Sequence, residues 1–293
     1  MRVIDTHVHF WNPDTLQYPW IERGSLFDRR FSMEDYVRSS EDHLRSAIAG
    51  SSTEARIAAS GLIFVEADAD ASCTLQEARW VQEQATAEPR IRGIVARLAL
   101  SEQRSVAAEL DVLATMPLVK GIRDNIQGHA PGFAVQHSFV EGVRQIGARG
   151  LHFELCLKHH QLGEVLELAR RCAQVPLVLD HCAKPDIRKG EREPWLTQIR
   201  ELASLPNVVC KISGLLTEAD WGRRPEEVLW YAQQAADAFG PGRVLFGSDW
   251  PVCEAAGGFE KWFQVAQALA ASWSATDRES FFCRNAERVY RLV

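Results

Sequence analysis

Short apolar runs rich in β-branched residues recur along this chain, and each is followed by a stretch in which apolar residues return every three or four positions. Eight such runs stand out: Val3 to His9, Leu62 to Ala67, Ile91 to Arg97, Leu118 to Arg123, Leu151 to Cys156, Leu177 to His181, Val208 to Ile212 and Val244 to Asp249. From the second to the eighth, their starts recur about every thirty residues, the length of one strand–helix unit. That alternation predicts a parallel sheet with helical crossovers.

The intervening stretches carry the apolar stripes of amphipathic helices: Leu75, Ala78, Val81 and Ala85; Val106, Leu110 and Leu113; Phe139, Val143 and Ile146; Leu162, Val165, Leu168 and Cys172. Pro225 marks a helix start, Gly240-Pro241-Gly242 lies just past its end, and Thr276 three residues before Glu279 reads as a capping box. Eight parallel strands with helices between them most simply close into a (β/α)8 barrel, an α/β fold with no exposed sheet edge. An open doubly wound sheet is the competing reading. No glycine-rich phosphate loop follows the first run, which favours the barrel.

One interval breaks the rhythm. Nearly sixty residues separate the first run from the second, and they include Phe10-Trp11-Asn12-Pro13 and Tyr18-Pro19-Trp20. A long loop leaving the carboxyl end of a barrel strand borders the usual active-site face, so this segment is expected to wall a substrate pocket. With no low-complexity linker, residues 1–293 read as one domain.

Composition narrows the function. The chain has 293 residues, 46% hydrophobic and 25% charged, enough apolar material for a sizeable core and unlike a disordered or fibrous protein. Its net charge is −6, with 33 basic residues dispersed among 39 acidic ones, so a nucleic-acid partner is not expected. No apolar stretch approaches membrane-spanning length and charge interrupts the first five residues, so neither a membrane partner nor export is expected. Seven cysteines without a C-x-x-C pair suit a reducing cytoplasm. Assembly into a homo-oligomer is left open.

Candidate chemistry clusters at the ends of the predicted strands. In Asp5-Thr6-His7-Val8-His9 the two histidines stand two apart and share one face of the first strand. Phe246-Gly247-Ser248-Asp249-Trp250-Pro251 ends the eighth, and barrel closure makes it a neighbour of the first. Val178-Leu179-Asp180-His181 ends the sixth. Three imidazoles and a carboxylate at one mouth suit either a divalent cation or activation of water against an electrophilic carbonyl. Glu66 ends the second strand, Arg123 ends the fourth, and His152 with Glu154 shares a face of the fifth. Arg123 suits a carboxylate or a polyol, or else a structural ion pair. Lys184 and Trp221 lie on loops after the sixth and seventh strands with no role assigned.

The ordered set His7-Val8-His9, Val119-Lys120-Gly121-Ile122-Arg123, Asp180-His181-Cys182-Ala183-Lys184-Pro185, Lys211-Ile212-Ser213-Gly214, Gly247-Ser248-Asp249-Trp250-Pro251 and Asn285-Ala286-Glu287-Arg288-Val289-Tyr290 resembles the amidohydrolase superfamily. More narrowly, it is similar to the lactonase-type branch that includes L-fuconolactonase, L-rhamnonolactonase and 2-pyrone-4,6-dicarboxylate lactonase. The resemblance implies a distorted barrel that hydrolyses a cyclic ester, a small-molecule lactone, to the open-chain acid. It also implies that His7, His9, His181 and Asp249 form the catalytic centre and, where a cation is used, its ligands. Members of this branch work with one divalent ion, such as Zn²⁺ or Mn²⁺, or with none. Lys120 sits too early in its strand to bridge two metals and Arg123 takes the later place, so a two-metal centre is not expected. On this reading Arg123, Glu66, His152, Trp250 and Trp11 would contact substrate. Metal-assisted decarboxylation of a small unsaturated acid and binding of a sugar acid without turnover are the alternatives.

Overall fold

The computed structural model describes residues 2–47, 60–100, 106–219 and 225–292. Eight strands run in order, each parallel to the next: β1 (Val3–Val8), β2 (Ser60–Val65), β3 (Ile91–Arg97), β4 (Val119–Arg123), β5 (His152–Leu155), β6 (Leu177–Leu179), β7 (Val208–Ile212) and β8 (Val244–Phe246). Helices α1 (Met33–Ala47), α2 (Thr74–Ala87), α3 (Val106–Thr115), α4 (His137–Ala148), α5 (Leu162–Arg171), α6 (Trp195–Ala203), α7 (Pro225–Phe239) and α8 (Gly258–Leu269) cover the outside, followed by a short α9 (Ala275–Glu279) and α10 (Asn285–Val289). The expected stripes face the sheet: Val81, Leu110, Leu113, Phe139, Val143, Ile146, Val165 and Leu168 are all fully buried.

The ring closes without a full β8–β1 ladder. A single parallel bridge joins Val8 to Trp250, and His9 N donates to Trp250 O at 2.7 Å and Asp249 N to His7 O at 2.9 Å. Buried Asp5 staples the seam, accepting from Ser248 N at 2.8 Å and from His7 N at 3.2 Å. Gly247 is required there, because a Cβ would meet the His7 Cβ at 2.8 Å.

Several expected boundaries are corrected. β2 begins two residues earlier than expected, and the carboxyl ends of β1, β2, β5, β6 and β8 stop before His9, Glu66, Cys156, Asp180 and Gly247. The chain leaves the ladder there, so His9, Glu66, Asp180, His181 and Asp249 sit just past strands, whereas His7 and Arg123 lie within them. The capping box also moves. Ser274, with extended backbone, caps α9 by accepting from Asp277 N at 3.1 Å, whereas Thr276 already lies inside the helix.

β1 shifts register between Asp5 and Val8, where three residues pass against two of β2. Such a bulge resets the alternation of side chains and re-aims them. Ile4 can thus fill the lower barrel with Ile63, Val65, Val95, Val178 and Leu245, while His7 and His9 serve the upper part. Tyr290, Ala286 and Cys283 of the terminal segment pack on the lower cluster.

Candidate active site

At the carboxyl ends of the strands, three imidazoles surround one carboxylate oxygen. Asp249 Oδ1 lies 3.7 Å from His7 Nε2, 3.5 Å from His9 Nε2 and 3.8 Å from His181 Nε2. Each ring is held by partners on its other nitrogen. His9 Nδ1 stands 2.8 Å from Val65 O, a carbonyl that can only accept, so Nδ1 carries the proton. His7 stands between two pure donors, Arg123 Nη1 at 3.3 Å from its Nε2 and Lys211 Nζ at 3.2 Å from its Nδ1, with Asp180 Oδ1 3.4 Å from Nδ1. His181 Nδ1 is 2.9 Å from Ser213 Oγ, which can accept.

The three Nε2 atoms thus all face Asp249. Burial depresses the His7 imidazole pKa, and the neighbouring Lys211 ammonium pushes the same way. His181 is likewise held low, mainly by burial and against the pull of Asp249. Burial opposes ionisation of Asp249, but His181 and His9 outweigh it and keep the carboxyl below its ordinary range. Neutral imidazoles and an ionised carboxylate are the donor set a divalent cation takes. Tetrahedral bonds of about 2.1 Å would hold ligand atoms about 3.4 Å apart, close to the spacings seen here. The His7, His181 and Asp249 atoms all lie within 4.8 Å of one another and fit one such ion, with His9 Nε2 beside Asp249 at 3.5 Å.

Behind His7 runs a buried ionic chain. Arg123 Nε donates to Glu66 Oε1 at 2.5 Å and Nη1 to Asp180 Oδ2 at 3.2 Å. Lys211 Nζ reaches Glu154 Oε2 at 2.5 Å and Asp180 Oδ1 at 3.2 Å, and Tyr290 donates to Glu154 Oε1 at 2.8 Å. Asp180 is buried, yet Lys211, His7 and Arg123 together hold its carboxyl well below the usual range. With a guanidinium beside His7 there is no bridging ligand at the β4 end, and the arrangement suits one cation, not two.

His9, His181 and Asp249 line a cavity of about 230 Å³ together with Trp11, Trp20, Arg123, Gln127, Cys156 and Lys184. His7 lies beneath it. Other expected contacts fall elsewhere. Glu66 is spent on Arg123 and on Asp68 N. Trp250 is buried among Phe10, Phe31 and Tyr36, with ring centroids 5.5–6.1 Å away. His152 starts β5 rather than ending it, so it sits at the opposite end of the barrel against Glu154 and Tyr290. Trp221 lies outside the described residues. Sequence reasoning passed over Gln127 and quoted Lys211 and Ser213 only within a motif, with no role for either. The position of Lys211 inside the apolar run Val208–Ile212 was the available signal for it.

A family model described as amidohydrolase matches residues 4–292. The chain belongs to the amidohydrolase family. Among its relatives is an L-fucono-1,5-lactonase of Burkholderia multivorans, 32% identical over 99% of this chain and 96% of the relative. An L-fucono-1,5-lactonase of Burkholderia ambifaria is 29% identical over 99% and 95% of the two chains. The crystal structure of a Burkholderia multivorans amidohydrolase with bound zinc superposes with a TM-score of 0.84 at 31% identity, each chain covered fully. In this amidohydrolase eight parallel strands form the nearly closed barrel.

Proposed function

We propose that the protein hydrolyses a sugar-acid lactone of the L-fucono or L-rhamnono kind to the open-chain aldonic acid, with Asp249 as the base. The observation that carries this reading is the convergence of three imidazole Nε2 atoms on Asp249 Oδ1, all within 3.8 Å. Similarity along nearly the whole chain to L-fucono-1,5-lactonases and to an L-rhamnono-gamma-lactonase of Scheffersomyces stipitis supports the substrate class. A role in carbohydrate metabolism follows from it, and seven buried free thiols suit a cytoplasmic setting.

Asp249 accepts a proton from water as the water oxygen bonds to the lactone carbonyl carbon. The ring carbon–oxygen bond then breaks, the ring oxygen takes a proton back from Asp249 and leaves as an alcohol, and the product carboxylic acid releases one proton to solvent. Arg123, fixed by Glu66 and Asp180, presents a guanidinium edge to the pocket, and Trp11 and Trp20 offer apolar faces to the sugar ring. A divalent cation such as Zn²⁺ or Mn²⁺, held by His7, His9, His181 and Asp249, would supply polarisation of the carbonyl and acidification of water. Zinc bound to the 31% identical neighbour supports the use of such a cation.

The test is a pH-indicator assay on L-fucono-1,5-lactone and L-rhamnono-γ-lactone, with and without a chelator. Acid release that chelator suppresses and Zn²⁺ or Mn²⁺ restores is the expected result. Release of CO₂ from an unsaturated acid, or recovery of both lactones unchanged after long incubation, would overturn it.

A further inference from the structure

After β6 the chain makes an unusual turn. His181, Cys182, Ala183 and Lys184 all have positive φ, at 52°, 51°, 61° and 47°, and none is glycine. Each of these residues has a Cβ that opposes the left-handed region, so such a run persists only where its surroundings impose it, and it marks a place where strain serves a function. The surroundings do impose it. Lys184 N donates to His181 O at 2.8 Å, Trp195 Nε1 to Cys182 O at 2.8 Å, and His159 Nδ1 to Lys184 O at 3.1 Å. Gly214, itself at φ 63°, passes under the turn where a Cβ would strike the His181 ring.

The turn places two functional side chains, His181 and Lys184, on one pocket within four residues. Lys184 Nζ donates to the neutral Gln127 Oε1 at 2.6 Å, and among the described residues no carboxylate lies within ion-pair distance of it. Arg123, the other cation of the pocket, is already paired with Glu66 and Asp180. Lys184 is thus the pocket cation with no direct carboxylate partner among the described residues, its charge acted on only from farther off by Asp249 and Glu218.

Hydrolysis of a lactone turns a neutral ester into a carboxylate, so negative charge appears on the acyl oxygens as the reaction proceeds. We infer that Lys184 is a catalytic residue whose ammonium, aimed by Gln127, receives that developing charge and then holds the carboxylate of the product. This rests on the lactonase reading. A lysine that only recognised a ring hydroxyl would bind substrate and transition state alike and leave kcat untouched.

The experiment compares wild type, Lys184→Met and Lys184→Arg on L-fucono-1,5-lactone, with L-fuconate as inhibitor and thermal unfolding as the folding control. Lys184→Met should lose about 10²-fold in kcat, in the range of a lost oxyanion donor, with KM little changed and product inhibition weakened by about tenfold. Lys184→Arg, keeping the charge, should recover part of both. If Lys184→Met does not fold, Gln127→Ala, which frees the ammonium without removing it, should lower kcat and weaken product inhibition in the same direction. A raised KM with kcat and product inhibition intact would overturn the inference while leaving the lactonase reading standing, and so would no change at all. A wild type inert toward both lactones would remove the two together.

Discussion

The two ends of the barrel interior are made by the same eight strands, yet they differ in almost every physical respect. Toward the start of the strands, Ile4, Ile63, Val65, Val95, Val178 and Leu245 pack with Tyr290 into a dry plug. Toward the end, His7, His9, His181, Asp249 and Arg123 crowd one polar mouth, with backbone strain at His181 and Asp249 (φ 52° and 61°). Lys211, Glu154 and Asp180 form the layer between. Two buried histidines make the contrast plain. His7 and His152 are both held neutral by burial, but His7 turns its Nε2 toward Asp249 while His152 abuts Glu154 and Tyr290 at the other end. Height along the strand, and not residue type, assigns the role.

That contrast can be tested by separating activity from stability. Asp249→Asn removes the carboxylate proposed as the base, and turnover should fall by about two to four powers of ten with thermal unfolding little altered, as kinetics and melting would show. Wild-type turnover in this variant would erase the distinction between the ends. Lys211→Met acts on the middle layer, strips Glu154 of its ammonium partner and leaves Asp180 with Arg123 alone, so denaturant unfolding should register a loss of about 3–5 kcal/mol. Activity should fall with it, because Asp180 then holds His7 less firmly. Leu245→Ala in the plug should cost about 2–5 kcal/mol, while turnover per folded molecule stays near wild type. A large kcat loss there would mean the plug also shapes the mouth.

The last test changes a slope and not a level. Glu77 on α2 is buried behind the pocket wall, and burial together with nearby Glu66 pushes its carboxyl up to about 8. The folded protein therefore keeps a proton that the unfolded chain releases above its ordinary pKa near 4.5. Stability from this group is fully present at low pH and is lost as pH rises through about 8. Glu77→Gln should flatten the fall in unfolding free energy between those values, measured by denaturant titration at several pH values. An unchanged slope would mean that Glu77 is ionised in the folded state.

Much of this was legible in the amino-acid order. A period of two in short runs and of 3.6 between them reports which faces must leave water, and that sufficed for eight strands, the crossover helices and a closed sheet. Closure in turn put His7, His9, His181 and Asp249 at one mouth. Strand ends were less legible, since His9, Asp180 and Gly247 continue an apolar pattern after the hydrogen-bonded ladder has stopped. Trp250, Glu66 and His152 show the same limit, because a local pattern does not reveal whether an indole meets Phe31 or a ligand, or whether a carboxylate is already taken by a guanidinium 57 residues away.

The order of residues by itself determined the barrel and the membership of its reactive cluster, because hydrophobic periodicity and strand adjacency are local or nearest-neighbour properties. Only the folded chain decided how each member is used. Charge pairing between Arg123, Asp180 and Lys211, the β1 bulge and the left-handed turn through Lys184 depend on distances between segments far apart in sequence, and electrostatic energy in a buried site varies steeply with those distances.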